Sequence, residues 1–208
     1  MNTRDFTLTT IFLAIILILA FTPLGFIHLG VIKATIIHIP IIIASILLGP
    51  KIGAFLGLMF GITSIISNTI APTLLSFAFS PVIPVLGTGQ GSFWALFVAI
   101  VPRVILGLLP YYLYKATDRF LTRKRPTKKM ALFLTGLIAT LVHTMLVMGL
   151  IAVLFQNAYA LAVNADSLNA VILAVLTVFF TNGVAEALLA AFITALVVPP
   201  LFKFVVRE

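Results

Sequence analysis

Six continuous apolar stretches leave this chain few ways to fold: roughly residues 6–22, 34–49, 51–68, 92–115, 130–156 and 168–198 run with almost no charge. A run of about 20 apolar residues matches the ~30 Å hydrocarbon core of a bilayer. Inside lipid only helices and closed barrels satisfy their own backbone hydrogen bonds. The runs are continuously apolar rather than alternating, which disfavours a barrel. Hydrophobic residues make up 62% of the chain and charged ones 9%, far from the composition of a soluble domain. The expected fold is therefore an all-α integral membrane protein of six transmembrane helices, a single membrane domain over residues 1–208. Gly49, Pro50 and Lys51 alone separate the second and third stretches, which predicts a tight helical hairpin, since proline stops one helix and opens the next.

Orientation follows from the thirteen lysines and arginines. Lys115, Arg119, Arg123, Lys124, Arg125, Lys128 and Lys129 cluster in one loop, about 115–129, between the fourth and fifth stretches. Arg4, Lys51, Lys203 and Arg207 fall at the ends and the tight turn. With six spans these positions share one face, so both termini are expected in the cytoplasm, and only Lys33 breaks the bias outside. The net charge of +8 is thus a topology signal; the basic run lacks the aromatic interleaving of a nucleic-acid surface, and no nucleic-acid partner is expected. No small-residue cleavage pattern follows the first apolar run, which reads as a retained helix. There is no cysteine, which excludes thiolate chemistry, and His28, His38 and His143 are too scattered to form a recognisable metal motif.

Arg103 lies near the middle of the apolar run from Phe93 to Tyr114, roughly 17 Å from the basic end at Lys115. That is too deep for easy snorkelling, and a guanidinium there costs about 2.5–3.5 kcal/mol on insertion scales. Such a charge points to a functional site facing the protein interior or a watery cavity. Arginine stays protonated and offers a planar fork, so the matching ligand is a carboxylate or phosphate. Other polar residues interrupt the runs: His38 and Asn68 near the outer ends of the second and third, His143 and Asn182 near mid-depth in the fifth and sixth, and Glu186 one turn after Asn182. The histidines and asparagines serve either as ligand contacts or as hydrogen-bonded packing groups. Glu186 either neutralises Arg103 in a buried pair or stands alone; the sequence leaves both open.

Gly49, Gly53, Gly57 and Gly61 form a small-residue stripe along the third stretch, and Gly183, Ala187, Ala191 and Ala195 form another along the sixth. Such stripes bring membrane helices into close contact, and packing within the chain is the favoured use for both. On the outer face, residues 69–91 combine Pro72, Pro81, Pro84, Gly87, Gly89 and Gly91 with Phe77 and Phe79. A connector this long and apolar is expected to act as a lid rather than as disordered chain. The first outer connector, about 22–35, is placed to cover the same mouth.

These stretches together resemble a known family. The sequences Ala34-Thr-Ile-Ile-His-Ile-Pro40, Leu47-Leu-Gly-Pro-Lys-Ile-Gly-Ala54, Gly57-Leu-Met-Phe-Gly-Ile-Thr63, Ser76-Phe-Ala-Phe-Ser-Pro81 and Pro102-Arg-Val-Ile-Leu-Gly107, within a 22.5 kDa six-span layout, are similar to the substrate-binding S components of energy-coupling factor (ECF) vitamin transporters, most of all to the pantothenate-specific branch. The resemblance implies a prokaryotic, multi-pass cell-membrane protein that captures its vitamin at the outer face. It implies uptake as part of an ABC-type importer, with a transmembrane coupling subunit and two cytoplasmic ATPases as partners. ATP would be used by those subunits, with no cofactor bound by this chain, which has no G-x-x-x-x-G-K-[ST] loop. One departure concerns the Ala-x-x-x-Ala pair frequent in the family's first helix: here Ala14 is followed by Ile18. Docking on the coupling subunit is expected along the first three spans.

The substrate implied is pantothenate, a small monoanion with hydroxyl and amide groups. Arg103 would take its carboxylate, Asn68 and Asn182 its hydroxyl or amide groups, His143 or His38 a further contact, with Glu186 nearby and Phe77 as a shield. Riboflavin or hydroxymethylpyrimidine, the ligands of related branches, are the alternatives. A stand-alone secondary transporter would need ion coupling, for which Glu186 is the one intramembrane acid, and internal repeats, which are not visible. An enzyme is not expected: there is no G-x-S-x-G, no H-E-x-x-H and no carboxylate pair.

Overall fold

The computed structural model describes residues 3–29, 32–122 and 128–205; Arg123, Lys124, Arg125 and Arg207 lie outside the described residues. In chain order the elements are α1 (Thr3–Phe21), a hairpin of β1 (Phe26–Leu29) and β2 (Ile32–Thr35), α2 (His38–Leu48), α3 (Pro50–Ile70), α4 (Trp94–Thr122), α5 (Lys128–Leu154), α6 (Gln156–Val163), α7 (Leu168–Val178) and α8 (Val184–Val205). A π-helical turn, Phe179–Gly183, joins α7 to α8 without a break. Helices α1, α3, α4, α5 and the α7–α8 composite are long and apolar enough to cross a membrane. The spans are all helical, as the apolar runs predict.

The second stretch departs from expectation. Residues 34–49 do not form one span: Thr35 ends β2, paired antiparallel with Phe26, and the helix starts only at His38. Proline accounts for this. In a helix interior the Pro40 ring would crowd the carbonyl of Ile36, which favours a helix start that leaves Pro40 in the first turn, as found. The remaining 11 residues reach roughly 16 Å, about half of the hydrocarbon core. Such a helix needs protein around it, and every residue from Ile41 to Ile46 is buried, enclosed by α1, α3, α4, α5 and α8. The space beyond its outer end is left to the hairpin and to the cavities described below.

The turn into α3 follows the predicted chemistry. Gly49 has φ +93°, a left-handed value that side chains resist, and Pro50 opens α3 at a position needing no N–H donor. One connector holds an unexpected element: α6 lies between α5 and α7, with Tyr159 fully buried on it. It lies almost wholly in the connector between the fifth and sixth apolar stretches, where no helix is expected from the sequence.

Two apolar clusters organise the interior. One gathers α2 with Phe12 and Ile16 of α1, Leu56 and Phe60 of α3, Leu106 of α4 and Leu132 of α5. The other lies around the outer connector, where Phe77 and Ala78 pack with Val98, Met148, Ile151, Phe155 and Tyr159. The first glycine stripe is used inside the fold: a methyl on Gly53 would strike the carbonyl oxygen of Gly107, and one on Gly57 that of Arg103. Contact this close locks α3 against α4 over the turns that carry Arg103. The second stripe seats α8 on α5, with Ala187 and Ala191 fully buried and Gly136 against Ala190.

Candidate binding site

The position of Arg103 follows from the proline before it. Pro102 has no N–H, so the carbonyl of Val98, four residues back in α4, loses its helical partner. The Arg103 guanidinium takes up that orphan, Nη1 donating to Val98 O at 2.7 Å. The side chain is folded along its own helix and is only 7% exposed. Two rings flank it: its guanidinium carbon lies 4.8 Å from the centroid of Phe79 and 5.6 Å from that of Phe60, within cation–π range. Nε is buried with no hydrogen-bond partner, and no carboxylate of the described residues lies within ion-pair distance. The charge is held by rings and one carbonyl, with donor capacity to spare.

Two cavities meet at this side chain. The larger, about 640 Å³, is lined on the α3 side by Thr63, Ser64, Ser67 and Asn68, on the outer-connector side by Thr73, Leu75 and Phe79, and opposite by Arg103 and Asn182. The π-helical turn brings Asn182 there, and among the described residues its carboxamide makes no hydrogen bond. The π turn inserts one extra residue per turn, and such bulges are frequent at functional sites. Asn68 is held differently: its Nδ2 donates to Ser64 O at 2.8 Å, and its Oδ1 accepts from Ser76 Oγ at 2.7 Å. Ser76 Oγ in turn accepts from the backbone N–H of Thr73 at 2.8 Å, and Thr69 and Ser80 share a hydroxyl contact of 2.6 Å. These bonds fasten the outer connector to the end of α3.

The smaller cavity, about 170 Å³, shares Arg103, Phe60 and Thr35 with the larger and is otherwise lined by His38, His143, Thr144, Glu186, Val147 and Met148. The two imidazoles are near-parallel, with centroids 6.5 Å apart. His143 Nδ1 lies 3.3 Å from Pro102 O; a carbonyl only accepts, so Nδ1 is the donor, and in the neutral imidazole this leaves Nε2 as an acceptor. His38 is 2% exposed, and its Nε2 has no partner. Glu186 Oε1 accepts the backbone N–H of Thr35 at 2.7 Å, tying the end of the hairpin to α8.

The sequence model described as "ECF transporter, substrate-specific component" matches residues 4–198. The chain belongs to the ECF S-component family. Among curated relatives, the "Pantothenic acid transporter PanT" of Lactococcus lactis subsp. cremoris is 37% identical over 172 residues, covering 83% of this chain and 79% of the relative. The "Pantothenate transporter PanT" of Leuconostoc mesenteroides subsp. mesenteroides is 30% identical over 149 residues, covering 69% of this chain and 65% of the relative. The chain is thus a multi-pass membrane S component of vitamin uptake, a transport component rather than an enzyme.

In this S component the structure gathers most of the residues singled out from sequence. Arg103, Asn68 and Asn182 line the larger cavity, and His38, His143, Glu186 and again Arg103 line the smaller. Phe77 does not line either. It is 2% exposed and packs edge-on against Phe155, while Phe79, two residues on, faces the guanidinium. Glu186 and Arg103 border the same smaller cavity but form no ion pair among the described residues; the Glu186 Oε1 contact is with the Thr35 amide. Several lining residues escaped the sequence reading: Thr63, Ser64, Ser67, Thr144 and Phe60. The hydroxyls are the least conspicuous, since a serine or threonine in a membrane helix bonds its own backbone, as Thr63 does to Phe60 O at 2.9 Å. The spacing of Ser64, Ser67 and Asn68, on one helical face next to a proline-rich connector, was the available signal.

Proposed function

We propose that this protein captures pantothenate from outside the cell and is the specificity subunit of an ECF importer. The reading rests on one observation above others: the Arg103 guanidinium borders both cavities, and among the described residues no carboxylate lies within ion-pair distance of it. A buried cation without a counter-ion is costly, and a bound carboxylate relieves that cost. The names of the two relatives support pantothenate as that anion. Asn182, and the free N–H of Asn68, suit the amide and hydroxyl groups of such a ligand, and Phe79 and Phe60 screen the ion pair from water.

Transport in this reading is powered from outside the chain, by two ATPases acting through a transmembrane coupling subunit in the cell membrane. The outward face of α1, with Phe6, Ile11, Ile18 and Phe21 exposed, is apolar surface for lipid or for that subunit. Isothermal titration of the detergent-purified protein tests the assignment. Pantothenate binds the wild type, and Arg103→Ala abolishes binding while the protein remains folded. Thermal stabilisation by riboflavin or a neutral pyrimidine, and none by pantothenate, moves the assignment to another vitamin.

A further inference from the structure

The two cavities share Arg103, Phe60 and Thr35 but differ in charge. The larger has Arg103 and, among the described residues, no acidic residue in its lining. The smaller has Arg103 and also the Glu186 carboxylate, with the two imidazoles between α2 and α5. An anion in the smaller cavity would lie beside Glu186; in the larger it meets the guanidinium alone. Like charges so placed are mutually unfavourable, and the asymmetry selects a direction for any elongated anion that fills both spaces.

Building on the reading above, we propose that the smaller cavity is a separate subsite for the neutral, hydroxyl-bearing, branched end of the ligand, with the carboxylate on the larger-cavity side of Arg103. The polar inventory fits hydroxyls. His38 Nε2 is buried without a partner, His143 presents Nε2 as an acceptor, and Thr144 adds a hydroxyl that both donates and accepts. The apolar inventory fits a branched carbon: Val147, Met148 and Phe60 complete the lining. At ~30 Å³ per water-sized group, 170 Å³ holds about five or six such groups, the size of a dimethyl-diol fragment and too little for a whole vitamin. Gly183 keeps the chamber wall in place, because a methyl there would press on the Thr144 side chain at 3.0 Å. His38 and Thr144 thereby determine specificity at one end of the ligand, and Arg103 at the other.

The test couples changes in the ligand to changes in the protein. The purified full chain, as wild type and as Thr144→Val, His38→Gln and Asn182→Ala, is titrated with pantothenate, with its analogue lacking the terminal hydroxyl, and with the alcohol that replaces its carboxylate. Loss of the hydroxyl is expected to weaken wild-type binding by about tenfold; this penalty shrinks to near zero in Thr144→Val or His38→Gln and persists in Asn182→Ala. The carboxylate penalty persists in all three. Unfolding midpoints without ligand monitor folding, and the near-isosteric Thr144→Val serves if His38→Gln is unstable. A hydroxyl penalty that vanishes in Asn182→Ala and survives in both chamber variants reverses the orientation and overturns the proposal. Failure of the wild type to bind pantothenate at all overturns the substrate reading and this subsite together.

Discussion

Where α3 meets the outer connector the polar side chains are engaged by the protein itself, whereas Arg103 and Asn182, like the Ser64 and Ser67 hydroxyls, keep open hydrogen-bonding capacity among the described residues. Asn68 is bonded at both ends of its carboxamide, Thr63 returns to its own helix, and the Ser76 hydroxyl joins Asn68 to Thr73. Facing them, Arg103 makes one hydrogen bond, and Asn182 makes none among the described residues. A buried polar group that is satisfied contributes about 1 kcal/mol to stability, while one left unsatisfied costs about 1–3 kcal/mol. The two sets of residues therefore separate scaffold from recognition: the first holds the outer connector in place, and the second keeps its hydrogen-bonding capacity for something that arrives.

The largest effect expected from this division is at Arg103. Arg103→Ala removes the guanidinium that borders both cavities and lowers anion affinity at least ~100-fold, about 3 kcal/mol for a charge-assisted contact. The same change relieves an uncompensated buried charge, so the unfolding midpoint without ligand stays level or rises. A clear fall in that midpoint, measured by thermal unfolding in detergent, would place Arg103 with the scaffold.

Next comes the seam that holds the two sets at a fixed distance. Gly57→Leu forces a side chain against the Arg103 carbonyl and is expected to destabilise the protein by about 1–3 kcal/mol, weakening ligand binding as the guanidinium moves. Gly149→Ala is the control, since nothing lies within 4 Å of a methyl there, and it stays neutral or slightly stabilising. Equal behaviour of the two variants would remove the α3–α4 seam from the account.

How much of this was legible depends on what each residue must contrast with. A charge or carboxamide in a hydrocarbon run is conspicuous, and Arg103, Asn68, Asn182, His38 and His143 all border one cavity or the other. Hydropathy shows where a chain is apolar but not where a helix begins within the apolar run, which is why the β2 end of the second stretch was invisible, with Pro40 the one local clue; α6, only eight residues long, is too short to register as a span. Pairing was less legible still. Glu186 is the obvious counter-ion for Arg103 by type and depth, yet its partner is a backbone amide at the end of a hairpin 151 residues away. Backbone donors carry no sequence label, so side-chain pairing rules miss them.

The two asparagines sharpen the contrast most directly, because the same substitution is expected to act on different quantities. Asn68→Ala breaks the link to Ser76 and costs about 1–2 kcal/mol of stability, with a lesser loss of affinity. Asn182→Ala leaves the unfolding midpoint within the error of the measurement and reduces affinity about tenfold. Paired thermal unfolding and calorimetry of the two variants would break the comparison if both quantities moved together in each.

The smallest effects should separate the two phenylalanines of the outer connector, which lie two residues apart and serve opposite surroundings. In irregular chain no fixed period says which of two such rings faces inward, so Phe77 and Phe79 could not be ranked from sequence. Phe79 stacks on the Arg103 guanidinium, and Phe79→Leu retains most of its apolar volume while losing the ring face, worth about 0.5–1 kcal/mol, or a three- to fivefold drop in affinity with little change in stability. Phe77→Leu acts inside the outer apolar cluster, where it forfeits the edge contact with Phe155 and costs about 1 kcal/mol of stability at unchanged affinity. If Phe77→Leu instead weakened binding while Phe79→Leu did not, the outer connector would have to be repositioned when ligand is bound, and the wall defined by Phe79 would belong to the empty protein alone.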